Sequence, residues 1–111
     1  MAWFRIDDNF HQHPKVMRAG NAAVGLWVRC GAYSSSYLTD GHVQTEVATA
    51  MGSRREVDAL LAAKLWVPNG DGFVMPDYLD YNPSAEQVRA ERAAARERQA
   101  KRRRNGNGAY E

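Results

Sequence analysis

Residues 53–75 read SRREVDALLAAKLWVPNGDGFVM and carry the strongest structural signal in the chain. Ser53 stands three residues before Glu56, the spacing of a capping box, in which hydroxyl and carboxylate satisfy the orphan N–H groups of a helix start. Val57, Leu60, Leu61 and Leu65 then recur at helical spacing and point inward, leaving Arg54, Arg55, Asp58, Ala59 and Ala62 on the outer face. Leu65-Trp66-Val67 and Phe73-Val74-Met75 flank Pro68-Asn69-Gly70-Asp71-Gly72, which reads as a β-hairpin with a glycine-bearing loop. A capped helix with outward arginines at its first turn therefore leads into a two-stranded ribbon.

Upstream, Thr45 is expected to cap a short helix over Glu46 to Met51, and Gly52 to supply a left-handed exit from it. Asn21 is a plausible N-cap for the longest apolar-periodic segment, Ala22 to Leu38. Along it Val24, Trp27 and Val28 share one face, and Leu26, Cys30, Tyr33 and Tyr37 a neighbouring one. Such breadth marks the central helix of a core. Thr39-Asp40-Gly41 stops it, and His42-Val43 follows as a brief extended link. Nearer the start, Trp3-Phe4-Arg5-Ile6 predicts a short strand ended by Asp7-Asp8-Asn9, and Pro14 opens a helical turn that Gly20 stops.

Downstream, Asp77 to Tyr81 is a short aromatic segment broken by Asn82-Pro83. Ser84 with Gln87 forms a second capping box, launching a helix predicted to run from Ala85 to about Arg104, with a flexible end over 105–111. Val88 is its only large apolar residue, so the spacing predicts neither a core-facing stripe nor a coiled-coil seam.

The 111 residues are enough for one small domain. The formal net charge of +2 conceals an asymmetry. Residues 1–84 hold seven basic and nine acidic side chains, net −2, and residues 85–111 hold eight basic and four acidic, net +4. A mildly acidic body thus carries a basic arm, a division that suggests contact with a polyanion, most often nucleic acid. All tryptophans and phenylalanines lie in the body. No stretch approaches the ~18 apolar residues of a membrane span, and Met1-Ala2-Trp3-Phe4-Arg5 lacks a secretory layout. The single Cys30 fits a reducing compartment. These features lead us to expect a soluble, cytoplasmic protein, not associated with membrane.

The order strand, two helices, helix-turn-helix and hairpin makes the plan of a winged helix-turn-helix: a mostly α fold with a small β-wing, followed by an extended basic C-terminal helix. The expected division is a winged helix-turn-helix domain over 1–83, a basic helix over 84–104 and a tail over 105–111. In a helix-turn-helix the second helix enters the major groove with its N-terminal residues nearest the bases. Ser53, Arg54 and Arg55 occupy that end. An arginine fork suits guanine O6 and N7. Asp58, one turn on, could accept from cytosine N4 or pair with Arg54 or Arg55 along the helix. The plainer alternative is that these side chains only solvate an outer helix face. The hairpin, with one acidic and no basic residue at its loop, is expected to cover the core rather than grip phosphate.

Trp3-Phe4-x-Ile6-Asp7-Asp8, Phe10-His11-x-His13-Pro14-Lys15-Val16, Ala23-Val24-Gly25-Leu26-Trp27, Leu38-Thr39-Asp40-Gly41 and Leu65-Trp66-Val67 together resemble a family of small proteins of actinobacterial phages and prophages. The layout is similar to the N-terminal winged-helix domain of phage replisome organisers and DnaD-like replication proteins. The resemblance spans Trp3 to about Tyr81, and Glu91 to Arg98 also looks like the tails of these phage proteins. It implies a DNA-binding module in replication initiation or gene control. Replisome organisers usually carry a further C-terminal domain, and Glu111 ends this chain without one, so the expectation of DNA binding stands ahead of that of replication.

In the arm, Arg89, Arg92 and Arg96 share one face at spacings of three and four, followed by the cluster Lys101, Arg102, Arg103 and Arg104. A helix of that extent is ~30 Å long, about nine base pairs, and its cations could track phosphates. The alternatives are a solvated helix held by pairs such as Glu97 with Lys101, or an RNA-binding segment.

His11, His13, His42 and Cys30 show no closed metal-ligand spacing. His11 and His13 are expected to shape the turn before Pro14, and Cys30 to be a small buried side chain. Asp7, Asp8, Asp77 and Asp80 lie at expected turns, and no glycine-rich phosphate loop follows a strand. The expectation is a non-enzyme without cofactor or metal that binds DNA, duplex before single-stranded. The competing one is a protein-interaction module that docks on a host or phage replication or transcription component through its exposed aromatics. A homodimer is left open.

Overall fold

The computed structural model describes residues 3–108. It is mostly helical, with one small antiparallel sheet. A single 3-10 turn, Phe10–Gln12, precedes α1 (Pro14–Ala19) and α2 (Asn21–Tyr37). Then come β1 (His42–Gln44), α3 (Thr45–Met51), α4 (Arg54–Ala62), β2 (Val67–Asn69), β3 (Gly72–Val74), α5 (Tyr78–Tyr81) and α6 (Ala85–Gly108). The sheet order is β1-β3-β2, so the strand after α2 returns to lie beside the second strand of the hairpin. Val43 sits opposite Phe73, and Val67 opposite Val74. Gly72 pairs with Gln44, where an added Cβ would collide with the Val43 backbone, so the close strand approach itself requires glycine.

Five local expectations need correction. Trp3 to Ile6 forms no strand. The segment is held by Phe4, whose ring lies 5.0 Å from Trp27 and 6.2 Å from Tyr78, and by Arg5 N–H donating to Asn82 Oδ1 at 2.8 Å. Aromatic packing and one long-range hydrogen bond replace strand pairing. Second, Gly20 rather than Asn21 is the N-cap of α2, and Asn21 begins the helix. Third, Gln44 precedes α3, and Thr45 is already helical, its hydroxyl donating to the Asp71 carbonyl at 3.0 Å. Fourth, Gly52 is extended (φ −149°), not left-handed. Its lack of a side chain has a different reason, because a Cβ there would lie 2.8 Å from Leu26 Cδ1. Fifth, α6 continues through 105–108, expected as part of a flexible end. Residues 109–111 of that end, and Met1 and Ala2 at the other terminus, lie outside the described residues.

The core lies between α2, α4 and the sheet. Leu26, Cys30, Val43, Val57, Leu60 and Trp66 are almost fully buried, and Trp66 stacks on Phe73 at 5.3 Å. The inner face of α2 is built on Leu26 and Cys30 with the small residues Ala23, Gly31 and Ser34, whereas Val28 and Tyr37 are exposed. Small residues let neighbours come close to α2, a choice that apolar periodicity does not reveal: a Cβ on Gly31 would strike the Phe4 ring, and Ser34 receives the turn at Asp40-Gly41. Ser34 Oγ accepts the Gly41 N–H at 2.6 Å and lies 2.7 Å from Thr39 Oγ1, satisfying buried polar groups where α2 ends.

Leu60→Ala removes a fully buried side chain from the α2–α4 contact. Urea unfolding is expected to show a loss of about 2–5 kcal/mol, the range for buried leucine truncations that leave a cavity.

Candidate nucleic-acid interface

The exposed start of α4 is fixed by hydrogen bonds to its own cap. Ser53 Oγ accepts from Glu56 N–H at 3.3 Å, and Glu56 Oε1 accepts from Ser53 N–H at 3.1 Å and Ser53 Oγ–H at 2.8 Å. The capping box expected from spacing is therefore present. These bonds to Ser53 hold the Glu56 carboxyl below its ordinary range, with Arg29 adding a smaller electrostatic pull.

Arg54 and Arg55 project from this first turn, both exposed. Arg54 Nε lies 3.2 Å from Asp58 Oδ1, so Asp58 takes the pairing role, one of the two open to it. At exposures of 68% and 59% such a pair contributes only ~0.3–0.5 kcal/mol and yields readily to a stronger anion. Arg29, not anticipated from sequence, belongs to the same corner. Its guanidinium donates to the Met51 carbonyl at 2.7 Å, closing the C-terminal end of α3. No local sequence signal points to it, because Arg29 meets this turn through the packing of Leu26, three residues before it, against Gly52, distant in the chain.

The hairpin folds back onto the body. Asp71 receives Gln44 Nε2–H at 3.2 Å and sits 3.2 Å from His42 Nε2, while its carbonyl takes the Thr45 hydroxyl. The loop thus points its acidic residue at β1 and α3, and Trp66, Phe73 and Met75 face the core.

The arm starts from a rigid base. Ser84 and Gln87 form the expected capping box, with bonds of 2.8 and 3.1 Å. Asp40 Oδ1 accepts the Ala85 N–H at 2.6 Å, so the turn after α2 also caps α6. Ala85 and Val88 are buried, which anchors the first turn more firmly than a lone valine suggested. Beyond it α6 projects for most of its 24 residues, about 36 Å, giving a molecule 65 × 30 × 19 Å. Arg89, Arg92, Arg96, Lys101, Arg102, Arg103 and Arg104 are all exposed. Among the described residues α6 makes no ion pair within 4.0 Å, so the anticipated Glu97 with Lys101 pair is not formed. The sequence stripe divides in space: Arg92 turns toward Trp3 and Arg5 with Arg98, a residue outside the expected set, whereas Arg89 and Arg96 do not line that groove.

The remaining reactive side chains have structural partners. His13 Nδ1 accepts the Lys15 N–H at 3.1 Å and caps α1, and His11 Nδ1 lies 3.1 Å from the Asp8 carbonyl. Among the described residues no three potential metal ligands cluster. Burial pushes the Cys30 thiol up to about 11, against a small opposing effect of Arg29. Among the described residues no helix is long and apolar enough to cross a membrane.

No family model matches the chain, and no curated protein or solved structure shows significant similarity to it.

Three outcomes are expected. Ser53→Ala removes the hydroxyl half of the capping box, leaving only the backbone N–H of residue 53 for Glu56, and should lower the thermal midpoint by about 4–8 °C, the effect of losing a typical cap in a small domain. Because the folded carboxyl of Glu56 is depressed, its contribution is present above the ordinary value of 4.5 and is lost as pH falls through the lower folded value. The wild-type midpoint should therefore fall more steeply below pH 4.5 than that of Ser53→Ala. Cys30 should resist a thiol-specific disulfide reagent at pH 8 in the native protein and react fully in denaturant, as monitored by thiolate release.

Proposed function

We propose that the protein is a non-enzymatic DNA-binding protein of the winged helix-turn-helix type. In this reading α4 is the recognition helix in the major groove, and α6 is a basic arm along adjacent phosphates. The observation that carries it is the arrangement around α4: helix, strand, helix, tight turn, capped helix and hairpin, with β1 beside β3. That arrangement leaves Ser53, Arg54, Arg55 and Asp58 exposed at the end of α4 that a helix-turn-helix presents to bases. Arg55 would read a guanine edge, Arg54 would exchange Asp58 for phosphate or base, and Arg29 would sit beside the backbone at the α3–α4 turn. The sequence resemblance supports a role in phage or prophage replication initiation or gene control in the host cytoplasm.

The second reading is a protein-interaction module. It is favoured by exposed Trp3, Ile6, Tyr37, Leu79 and Tyr81, a set that suits a host or phage replication protein, or a second copy, better than it suits phosphate.

Fluorescence anisotropy on duplex DNA over a salt series separates the two. With the full chain, replacing Lys101, Arg102, Arg103 and Arg104 by alanine should reduce the slope of log affinity against log salt by up to about four units. Arg54→Ala with Arg55→Ala should flatten sequence preference, each lost bidentate contact removing ~1–3 kcal/mol of discrimination. Absence of duplex binding by the wild type would leave the interaction-module reading.

A further inference from the structure

A groove of about 330 Å3 opens where the N-terminal segment meets the root of the arm. Trp3 and Arg5 form one wall, Pro83 and Val88 the base, and Glu91, Arg92, Ala95 and Arg98 the helical wall. We infer that this groove binds single-stranded DNA, with a base stacked on the Trp3 indole and its flanking phosphates held by Arg5, Arg92 and Arg98. The inference rests on the DNA-binding reading and deepens it, because it names a second, strand-specific site away from α4.

Three observations carry the assignment. Trp3 is 72% exposed, so it contributes little to the core although tryptophan is a costly side chain to leave in water. Its counterparts Trp27 and Trp66 are half-buried and buried respectively. Next, the ionisable lining is three arginines against Glu91, a net positive groove beside an aromatic face. That is the combination by which proteins hold unpaired strands: the π face takes any base, and the guanidinium groups follow the backbone. Finally, the groove has room for a ligand. On the helical wall the small Ala95 stands between Arg92 and Arg98, and the volume is at the lower end of the ~300–1,000 Å3 typical of ligand sites. Val88, Ala95 and Arg102 recur every seven residues, close to two turns, so Arg102 continues the same face outward as a further phosphate contact.

The groove is also held in place. Asn82, itself buried, accepts the Arg5 N–H through Oδ1 and donates through Nδ2 to the Tyr78 carbonyl at 3.0 Å. Asp40 fixes the start of α6. Both walls are therefore tied to the body before a ligand arrives, which lowers the ordering cost of binding. The groove and the α4 surface are separated along α2. Leu26 meets Gly52 at one end, and Ser35, whose hydroxyl lies 3.0 Å from Tyr78 Oη, stands at the other, nine residues or about 14 Å away.

The test uses the full chain with labelled dT8, rU8 and a duplex. Binding of dT8 should quench tryptophan fluorescence, and Trp3→Ala should abolish the quench and weaken dT8 about tenfold. Trp3→Phe should recover most of the affinity, and Arg92→Ala with Arg98→Ala should reduce its salt slope by about two units. Far-ultraviolet circular dichroism should be unchanged in Trp3→Ala, and its duplex binding should stay within twofold of wild type. If the wild type binds duplex but not dT8, or Trp3→Ala binds dT8 as tightly as wild type, the groove assignment is overturned while the α4 reading stands. Tighter binding of rU8 than dT8 overturns the assignment to DNA. Binding of dT8 without duplex binding supports the groove and removes the α4 reading.

Discussion

The α3–α4 turn closes directly onto α2, and this contact sets where the outward face of α4 points. Gly52 lies against Leu26 so closely that a single methyl group would not fit. Arg29, one helical turn after Leu26, reaches over and donates from its guanidinium to the Met51 carbonyl at 2.7 Å. Van der Waals packing on one side and a charge-assisted hydrogen bond on the other thus hold the end of α3 and the start of α4 to the same helix. Val57 and Leu60 are carried into the core, and Arg54, Arg55 and Asp58 are left in water.

The remaining elements extend this arrangement. After α4 the chain leaves through Leu65 and buried Trp66, and the hairpin returns its second strand to β1. Hydrogen bonds from Gln44 and Thr45 then bring the loop back to the beginning of α3. At the far end of α2, Ser34 and Asp40 organise a compact turn that caps the arm. Asp40 adopts a left-handed conformation (φ 54°) to do so, a conformation that aspartate tolerates better than most side chains. One helix therefore supports both surfaces proposed to bind DNA.

Electrostatics follow from the same layout. Two of the body's five arginines have local partners for their guanidinium groups: Arg54 in Asp58 and Arg29 in a carbonyl. Along α6 the cations lie on a helix that leaves the body after its first turns, with no ion pair among the described residues. Self-repulsion among them opposes collapse of the arm, and an anionic partner relieves it. Glu91 and Glu97 lower that repulsion along the helix without removing the positive excess.

Short-range features were legible in the amino-acid order. The two capping boxes, the Pro14 helix start and the hairpin follow from the sequence because each depends on hydrogen bonds or dihedral preferences within a few residues. The exposed Arg54-Arg55 pair was legible for the same reason, since helical periodicity assigns faces. Gly52 was recognised as special for the wrong cause: a local rule suggests positive φ, whereas the true constraint is Leu26, distant in sequence. Trp3 to Ile6 looks like a strand because aromatic and β-branched residues favour one, but Phe4 packs on Trp27 and Tyr78 instead, a contact that local propensity does not encode. The groove of Trp3, Arg5, Arg92 and Arg98 depends on contacts between the two ends of the chain. Periodicity could rank the arginines by helix face, but only the packing of Asn82, Asp40 and Val88 decided which face meets the N-terminal tryptophan.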